Sequence, residues 1–250
     1  LIYLIDLDGN VLNDDNPIPG NYASFSSSGK LVYKSTTRNG SFGDYTLNII
    51  DSPLDGLSSA REALDIYTND VVEWSPDGNS VALSLSKDGT SDIYIFDNNK
   101  NTLKKITSFK YEAAEPVWIS DQELAFTADK SGNPFIYSLN LKTKRVSPIS
   151  RNYLYTTSAK VSNDMSKLYG IYSKNGNSGI LEIDKKTRNE KVLVNDFFAE
   201  SPSVAKGDET IIYSTKKNGK SILRAVDSKG RLLYEVESAG TDLKEPSYSN

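Results

Sequence analysis

Short apolar segments with alternating polar positions recur along this chain, separated by turns rich in Gly, Pro, Asn and Asp. The clearest copy runs from Val71 to Asp97 and contains a Trp-Ser-Pro-Asp-Gly stretch beginning at Trp74. An aromatic or β-branched residue recurs about every 44 residues, at Phe25, Trp74, Trp118, Val161, Val204 and Tyr248. Alternation at period two predicts β-strands, and a fixed repeat of this length with four strands per unit predicts the blades of a β-propeller.

Each unit divides into four predicted strands, A to D, joined by turns of recognisable chemistry. In the third unit the predicted strands are Glu115–Ile119, Glu123–Thr127, Phe135–Leu139 and Thr143–Ser147. The Ser75-Pro76-Asp77-Gly78 stretch predicts a type I turn between A and B, followed by a positive φ at Gly78. The Asn-Gly pairs at Asn175 and Asn218 suit tight hairpins between B and C.

The two ends of the chain resemble parts of one further unit. Residues Ile2–Leu12 read as strands C and D with nothing before them, and Leu243–Tyr248 reads as strand A with nothing after it. Pairing them would build a blade shared between the N- and C-termini and close the ring. The sequence therefore predicts an all-β, six-bladed propeller of four-stranded blades, formed by residues 1–250 as a single domain. The terminal segments are about one strand short of a full unit, so that strand is expected upstream of Leu1 in the natural protein.

The first unit is longer than the others between its third and fourth strands. The extra residues fall between Gly43 and Ile66, around Ser52-Pro53-Leu54-Asp55-Gly56. We predict a longer connection there, with a short helical turn at Ser58–Ala63.

Composition excludes several classes of function. The net charge of −4 and the pI near 5.1 give no reason to expect nucleic acid or an anionic membrane as a partner. The longest apolar run, Leu1–Ile5, is far too short to span a bilayer. The chain has no Cys and no His, so thiol chemistry, a Ser-His-Asp triad and His-ligated metals are all excluded. We therefore predict that the chain is not an enzyme and needs no cofactor.

The mouth of the predicted channel is the candidate binding site. Strand A is the innermost strand of a blade, so its first residues and the D-to-A loop before it surround the channel. Aromatic and acidic residues alternate there, and aromatic residues on a rim are typical anchors of protein interfaces. The alternative is that these rings only cover the rim of the channel. The predicted partner-binding residues are Thr68, Asn69, Asp70, Val71, Tyr111, Glu112, Ala114, Glu115, Tyr153, Tyr155, Thr157, Phe197, Phe198, Glu200, Leu243 and Glu245.

Four carboxylates of this set are also weak candidates for a metal site. Asp70, Glu115, Glu200 and Glu245 recur at the start of their units. Carboxylate oxygens near the channel axis suit a hard cation. The same charges suit pairing with Lys or Arg of a partner protein. The sequence leaves both interpretations open.

Several segments together resemble the TolB family, the periplasmic propellers of the Tol-Pal system of Gram-negative bacteria. They are the Trp74–Gly78 and Asp88-Gly89 turns with Ile93-Tyr94, the Glu115–Trp118 and Leu124–Asp129 strands, Glu200–Ser203 with Thr210–Ser214, and the ending from Asp227–Arg231 through Lys244–Ser249. The resemblance extends over essentially all 250 residues. It implies a small α/β domain upstream and a periplasmic location.

The resemblance also implies partners and a role. It implies a monomer that binds Pal, the peptidoglycan-associated lipoprotein, at the channel mouth, with colicin-type peptides at the same site. The matching positions are Thr68, Asp70, Val71, Ala114 and Glu115, although Thr68 and Ala114 replace a His and a Thr common in the family. Some members carry calcium in the channel. TolA contacts an N-terminal segment not present here, so TolA is not an expected partner. The implied roles are outer-membrane integrity, cell division, protein transport and bacteriocin import.

Two other classes of propeller remain as alternatives. The gating propeller of a prolyl-oligopeptidase-type peptidase has similar repeats, but it is followed by a hydrolase domain with a nucleophile elbow. A glycan-binding propeller would use the abundant tyrosines for stacking, and the missing histidines argue against its lyase members.

Overall fold

The protein is described by a computed structural model with five four-stranded antiparallel sheets. The described residues are 1–6, 10–36, 45–66, 71–86, 89–153, 155–205, 210–237, 242–244 and 246–247. Each sheet is a blade whose strands follow one another in sequence order, as predicted for a propeller.

The strands of the five blades have the following bounds. Blade 1 contains β1 (Asn21–Phe25), β2 (Leu31–Thr36), β3 (Tyr45–Ile50) and β4 (Ala60–Ile66). Blade 2 contains β5 (Val72–Trp74), β6 (Ser80–Ser86), β7 (Ser91–Asp97) and β8 (Thr102–Lys105). Blade 3 contains β9 (Ala113–Ser120), β10 (Glu123–Ala128), β11 (Phe135–Asn140) and β12 (Val146–Pro148). Blade 4 contains β13 (Tyr155–Val161), β14 (Lys167–Lys174), β15 (Asn177–Asp184) and β16 (Glu190–Asn195). Blade 5 contains β17 (Glu200–Val204), β18 (Ile211–Lys217), β19 (Lys220–Val226) and β20 (Leu232–Val236).

The core lies between neighbouring blades. The first strands β1, β5, β9, β13 and β17 contact one another in this order, which makes them the innermost strands. Trp74 of blade 2 packs with Ile49 of blade 1. Ile136 of blade 3 packs with Leu168 of blade 4. Burial of these apolar faces is what stabilises a stack of blades, because one sheet alone cannot cover its own face.

Local predictions for strands and turns are confirmed. The four strands predicted in the third unit overlap β9 to β12. The amide of Gly78 donates to the carbonyl of Ser75 at 2.9 Å, and Gly78 has a φ of 68°. In the hairpin between β18 and β19, Asn218 and Gly219 have φ of 52° and 80°, as a type I′ turn requires.

The prediction of six blades is wrong, because the described residues form five. Ile2 bridges to Ile18, and Ile5 bridges to Val11, so the N-terminal segment pairs with its own neighbours. At the other end, the amide of Leu243 donates to the carbonyl of Ser221 in blade 5 at 3.2 Å. No backbone hydrogen bond among the described residues joins the two terminal segments. Each end finds partners nearby in sequence, and the predicted closure by a shared blade is not observed.

The irregular connection of blade 1 is confirmed, but its helical turn is misplaced. A 3₁₀ helix covers Pro53–Ser59 between β3 and β4. The predicted turn at Ser58–Ala63 overlaps only its end, because Ala60 already begins β4 and pairs with Ile50. Pro53 begins the helix and fixes its first φ, which favours the earlier position. Nowhere in the described ranges is a helix long and apolar enough to cross a bilayer.

Candidate functional site

Four innermost strands carry a β-bulge at the same position of the repeat. The ladder register shifts there in β1, β9, β13 and β17. The first bulged residues Tyr22, Glu115, Ser158 and Ser201 have φ of 49°, 53°, 55° and 48°. A left-handed backbone costs a non-glycine residue about 1 kcal/mol or more, and a bulge re-aims the side chain it carries. In blade 2 the equivalent residue is Val71, which precedes the described ladder pairs of Val72, Glu73 and Trp74 with β6.

Glu115 uses its bulge to join two blades. One carboxylate oxygen, Oε2, accepts hydrogen bonds from the hydroxyl of Thr127 at 2.6 Å and the amide of Ser158 at 2.8 Å. The other, Oε1, accepts one from the hydroxyl of Ser158 at 2.8 Å. Thr127 belongs to blade 3, whereas Ser158 is the bulged residue of blade 4. The structure therefore places this predicted binding and metal residue in a contact between blades.

Phe197 and Phe198 lie in the loop between β16 and β17, with exposed fractions of 67% and 47%. Their rings meet edge to face with centroids 5.2 Å apart. The carbonyl of Phe197 accepts a hydrogen bond from the hydroxyl of Ser178 at 3.0 Å, and Lys216 Nζ lies 5.4 Å from the centre of the Phe198 ring. An ordered apolar surface therefore projects from this loop into solvent.

Asp196 holds the base of the same loop, and the sequence analysis did not identify it as a site residue. Its carboxylate accepts hydrogen bonds from the hydroxyls of Thr215 at 2.8 Å and Tyr213 at 3.3 Å, and from Arg224 Nη1 at 2.9 Å. The amide of Phe198 donates to it at 3.3 Å. Burial, with the charge of Asp196 second, raises the pKa of Tyr213 to about 12, so the phenol keeps its proton. The one sequence signal for this anchor is its place directly before an aromatic pair.

The predicted tyrosines of blade 4 have different surroundings. Tyr153 packs edge to face on Tyr172, with centroids 5.0 Å apart, and Lys174 Nζ lies 5.1 Å from its ring centre. Tyr155 is 38% exposed, and its hydroxyl oxygen lies 3.3 Å from the hydroxyl of the buried Thr157. Tyr155 is thus the more accessible of the two rings.

The predicted residues between blades 2 and 3 are mainly structural. The ring of Tyr111 stacks on Phe109, with centroids 4.7 Å apart. The carboxylate of Glu112 accepts a hydrogen bond from the amide of Ser91 at 2.7 Å, which ties the loop to the start of β7. The remaining described members are half-buried, and they are Val71, Ala114 and Leu243.

The four candidate metal ligands do not form a site in the described part of the chain. Asp70 and Glu245 lie outside the described residues, as do Thr68 and Asn69. Glu200 is exposed at the start of β17, and the carboxylate of Glu115 is accounted for by neutral donors. Among the described residues, no three acidic side chains gather closely enough to hold an ion. Calcium binding stays a prediction.

Comparison with known proteins gives consistent results. A family model described as the TolB beta propeller domain matches residues 63–250. The chain is 30% identical over 246 residues to the Tol-Pal system protein TolB of Francisella tularensis subsp. mediasiatica, which covers 94% of this chain and 55% of that protein. The chain thus spans about half the length of the curated relatives it matches.

Two solved structures illustrate the similarity of the fold. TolB from Acinetobacter baumannii has a TM-score of 0.82 at 20% identity, covering 98% of this chain and 61% of that one. A puromycin-hydrolysing peptidase of Mycobacterium tuberculosis has a TM-score of 0.66 at 14% identity, covering 87% of this chain and 39% of that one. At these identities the likeness concerns the fold alone.

Proposed function

The chain belongs to the TolB β-propeller family, which is not a family of enzymes, and on that premise we propose that it docks the lipoprotein Pal in the periplasm. The proposed docking face is the channel mouth, with Phe197 and Phe198 as its anchor. The relatives carry the name of the Tol-Pal system, which supports a partner from that system. Outer-membrane integrity, cell division and the import of bacteriocins are the roles that such docking would serve.

The exposure of the aromatic pair is the observation that supports this proposal most. Large apolar side chains are usually buried, and an exposed pair held by hydrogen bonds loses little conformational entropy on binding. Phe197 and Phe198 are fixed from below by Asp196 and Ser178. The acidic residue Glu200 follows them at once and is exposed, so it suits a basic group of the partner.

The two alternative functions have less support. The peptidase likeness lies at 14% identity, so it carries no argument beyond the fold. A glycan site built on tyrosine stacking would need several exposed rings at the mouth, but Tyr111 stacks on Phe109 and Tyr153 packs on Tyr172. Of the predicted tyrosines, this leaves Tyr155 as the exposed one.

The first prediction tests the docking face. The double variant Phe197→Ala/Phe198→Ala should weaken binding to Pal of the same organism by about 30-fold, because central aromatic anchors contribute about 2 kcal/mol or more. Titration calorimetry measures the affinity. The midpoint of thermal unfolding should hardly change, since both rings are exposed.

A control removes two neighbouring exposed apolar side chains elsewhere. Leu232 and Leu233 on the outermost strand β20 are 56% and 51% exposed, and their replacement by Ala should leave Pal binding unchanged. A colicin-type peptide that uses the same mouth should compete with Pal for the unmodified chain. Equal Pal affinity for the unmodified chain and the Phe variant would show that docking occurs elsewhere.

A further inference from the structure

An open pocket of about 390 Å³ lies between blades 3 and 4, and this cavity has both polar and apolar walls. It opens beside the turns that join the third and fourth strands of these blades, which is the end opposite to the D-to-A loops. Its walls include Arg145, Arg188, Ser138, Ser147 and Glu123. The volume falls in the range of small-molecule sites.

Arg188 lines this cavity and carries a donor without an acceptor. Its Nη1 atom is buried and has no hydrogen-bond partner in the structure. A buried guanidinium N–H without an acceptor is costly, because the group has lost its water. The backbone of Arg188 is also left-handed, with a φ of 61°. An acceptor bound in the adjoining cavity would give this N–H a partner once the guanidinium turns towards it.

Arg145, Ser138 and Ser147 also offer unused donors, whereas the hydroxyl of Thr143 donates to Asn140 Oδ1 at 3.0 Å. Arg145 forms no ion pair with any described residue, and neither arginine is paired with Glu123. Ser138 and Ser147 stand opposite each other in the ladder between β11 and β12. Within the described part of the chain, their hydroxyls have no hydrogen-bond partner.

The surrounding charge is positive although the chain as a whole is acidic. Lys142 and Lys144 are exposed in the turn of blade 3, and Lys186 is exposed in the turn of blade 4. The carboxylate of Asp184 is used within its own turn, where it accepts the amides of Lys186 at 3.0 Å and Thr187 at 2.7 Å. Among the described residues that line the cavity, Glu123 is the one carboxylate, and two arginines accompany it.

We propose that this cavity binds the phosphoryl group of a small phosphomonoester. A tetrahedral dianion accepts hydrogen bonds on several sides, which matches the two guanidinium groups and two hydroxyls of the lining. A carboxylate offers fewer acceptor positions. The volume exceeds that of a bare phosphate, so the organic part of the ester has room. This site is separate from the proposed docking face.

The test is titration calorimetry with glycerol 3-phosphate, inorganic phosphate and acetate as probes. We expect saturable binding of glycerol 3-phosphate at one site and weaker binding of acetate. Arg188→Gln should weaken glycerol 3-phosphate binding by about tenfold or more, the usual effect of losing a charged hydrogen bond. Ser138→Ala/Ser147→Ala should weaken it too, and this variant keeps the test valid if Arg188→Gln unfolds.

Arg151→Gln is the matched control. It removes the same charge from an exposed residue at the other end of the blades, and it should leave the affinity within about twofold. The proposal is overturned by an absence of saturable heat, by acetate binding as tightly as the phosphate ester, or by Arg151→Gln weakening binding as much as Arg188→Gln. Pal binding should be unaffected by all of these variants, so the two proposals fail separately.

Discussion

Glu115 joins blades 3 and 4 through a single carboxylate that accepts three hydrogen bonds. Glu115→Gln keeps the size of the side chain but puts an amide NH₂ where donors now point. We expect the free energy of unfolding to fall by about 1–3 kcal/mol, the range for a lost charged hydrogen bond. Urea denaturation followed by tryptophan fluorescence measures this change.

Glu200→Gln provides the comparison for Glu115. Glu200 lies at the start of another innermost strand, but it is exposed and its carboxylate has no hydrogen-bond partner in the described structure. Its substitution should change stability by less than about 0.5 kcal/mol. If the two variants lost equal stability, the contact between blades would not be the source of the effect.

The sequence predicted Glu115 at the channel mouth but did not predict its contact with Ser158. Its partner Ser158 lies 43 residues further along the chain, one repeat later. Local patterns report which face of a strand a residue occupies, whereas contacts between blades depend on how two units are placed relative to each other. For the same reason Asp196 was missed, since Arg224 lies 28 residues after it.

In blades 2 and 4, an Asp carboxylate accepts hydrogen bonds within the turn between the first and second strands. In blade 4 the carboxylate of Asp164 accepts hydrogen bonds from the hydroxyl of Ser162 at 2.7 Å and the amide of Ser166 at 2.9 Å. In blade 2 Asp77 accepts the hydroxyl of Ser75 and the amide of Asn79. The hydrogen bond from Ser162, followed by those from Ser166, lowers the pKa of Asp164 to about 2.

The depressed pKa of Asp164 predicts acid sensitivity of its turn. In the unfolded chain the pKa of an Asp carboxyl is about 3.9, so the stabilisation from this group is complete above that pH. It is lost as the pH falls through about 2, the folded pKa. An NMR titration of the carboxyl carbon chemical shift of Asp164 against pH should show this low midpoint.

Removing the first hydrogen bond separates this cause from general charge effects. Ser162→Ala should raise the pKa of Asp164 towards its ordinary value, whereas Ser75→Ala should raise that of Asp77 and leave Asp164 alone. An unchanged Asp164 midpoint in Ser162→Ala would falsify this account.

Strands and turns were the elements that the sequence predicted best. Gly78 and the Asn218-Gly219 pair need a positive φ, and this requirement is local. The 3₁₀ helix lies earlier in the chain than predicted, because Pro53 determines where it begins and the pairing of β4 with β3 determines where it ends. Pairing with a distant strand is not visible in a short window of sequence.

At the scale of the whole molecule, an ion pair links blades that are not neighbours. Lys160 Nζ on β13 lies 2.7 Å from Glu73 Oε2 on β5, although β9 stands between these strands in the ring. The side chains are 27% and 22% exposed. The pair therefore reaches across the channel and ties blade 2 to blade 4.

A double-mutant cycle with Glu73→Gln and Lys160→Met tests this link. We expect a coupling energy of about 1 kcal/mol in unfolding, since the pair is partly shielded from water. The pair of Lys167 and Glu182, which lies within blade 4 at 3.3 Å and is similarly exposed, should couple more weakly. A coupling near zero for Glu73 and Lys160 would mean that the link does not stabilise the ring.

The predicted number of blades was the largest error. It arose because the two terminal segments were counted together as one further repeat. The terminal segments have the alternation of apolar and polar residues that is typical of strands. In the structure, however, Ile2 pairs with Ile18 and Ile5 pairs with Val11. Periodicity counts matching positions along the chain and cannot decide which partners two incomplete units will choose.

The left-handed residues on the innermost strands bear on how such an array can diversify by gene duplication. A copied blade can drift at this position among Tyr, Glu and Ser, as Tyr22, Glu115, Ser158 and Ser201 illustrate. Drift to a β-branched residue is different, because its side chain resists positive φ. Val71 holds this position in blade 2. A duplicate that gains a β-branched residue there would favour an extended strand over a bulge, so a single substitution would change where that part of the entrance directs its side chains.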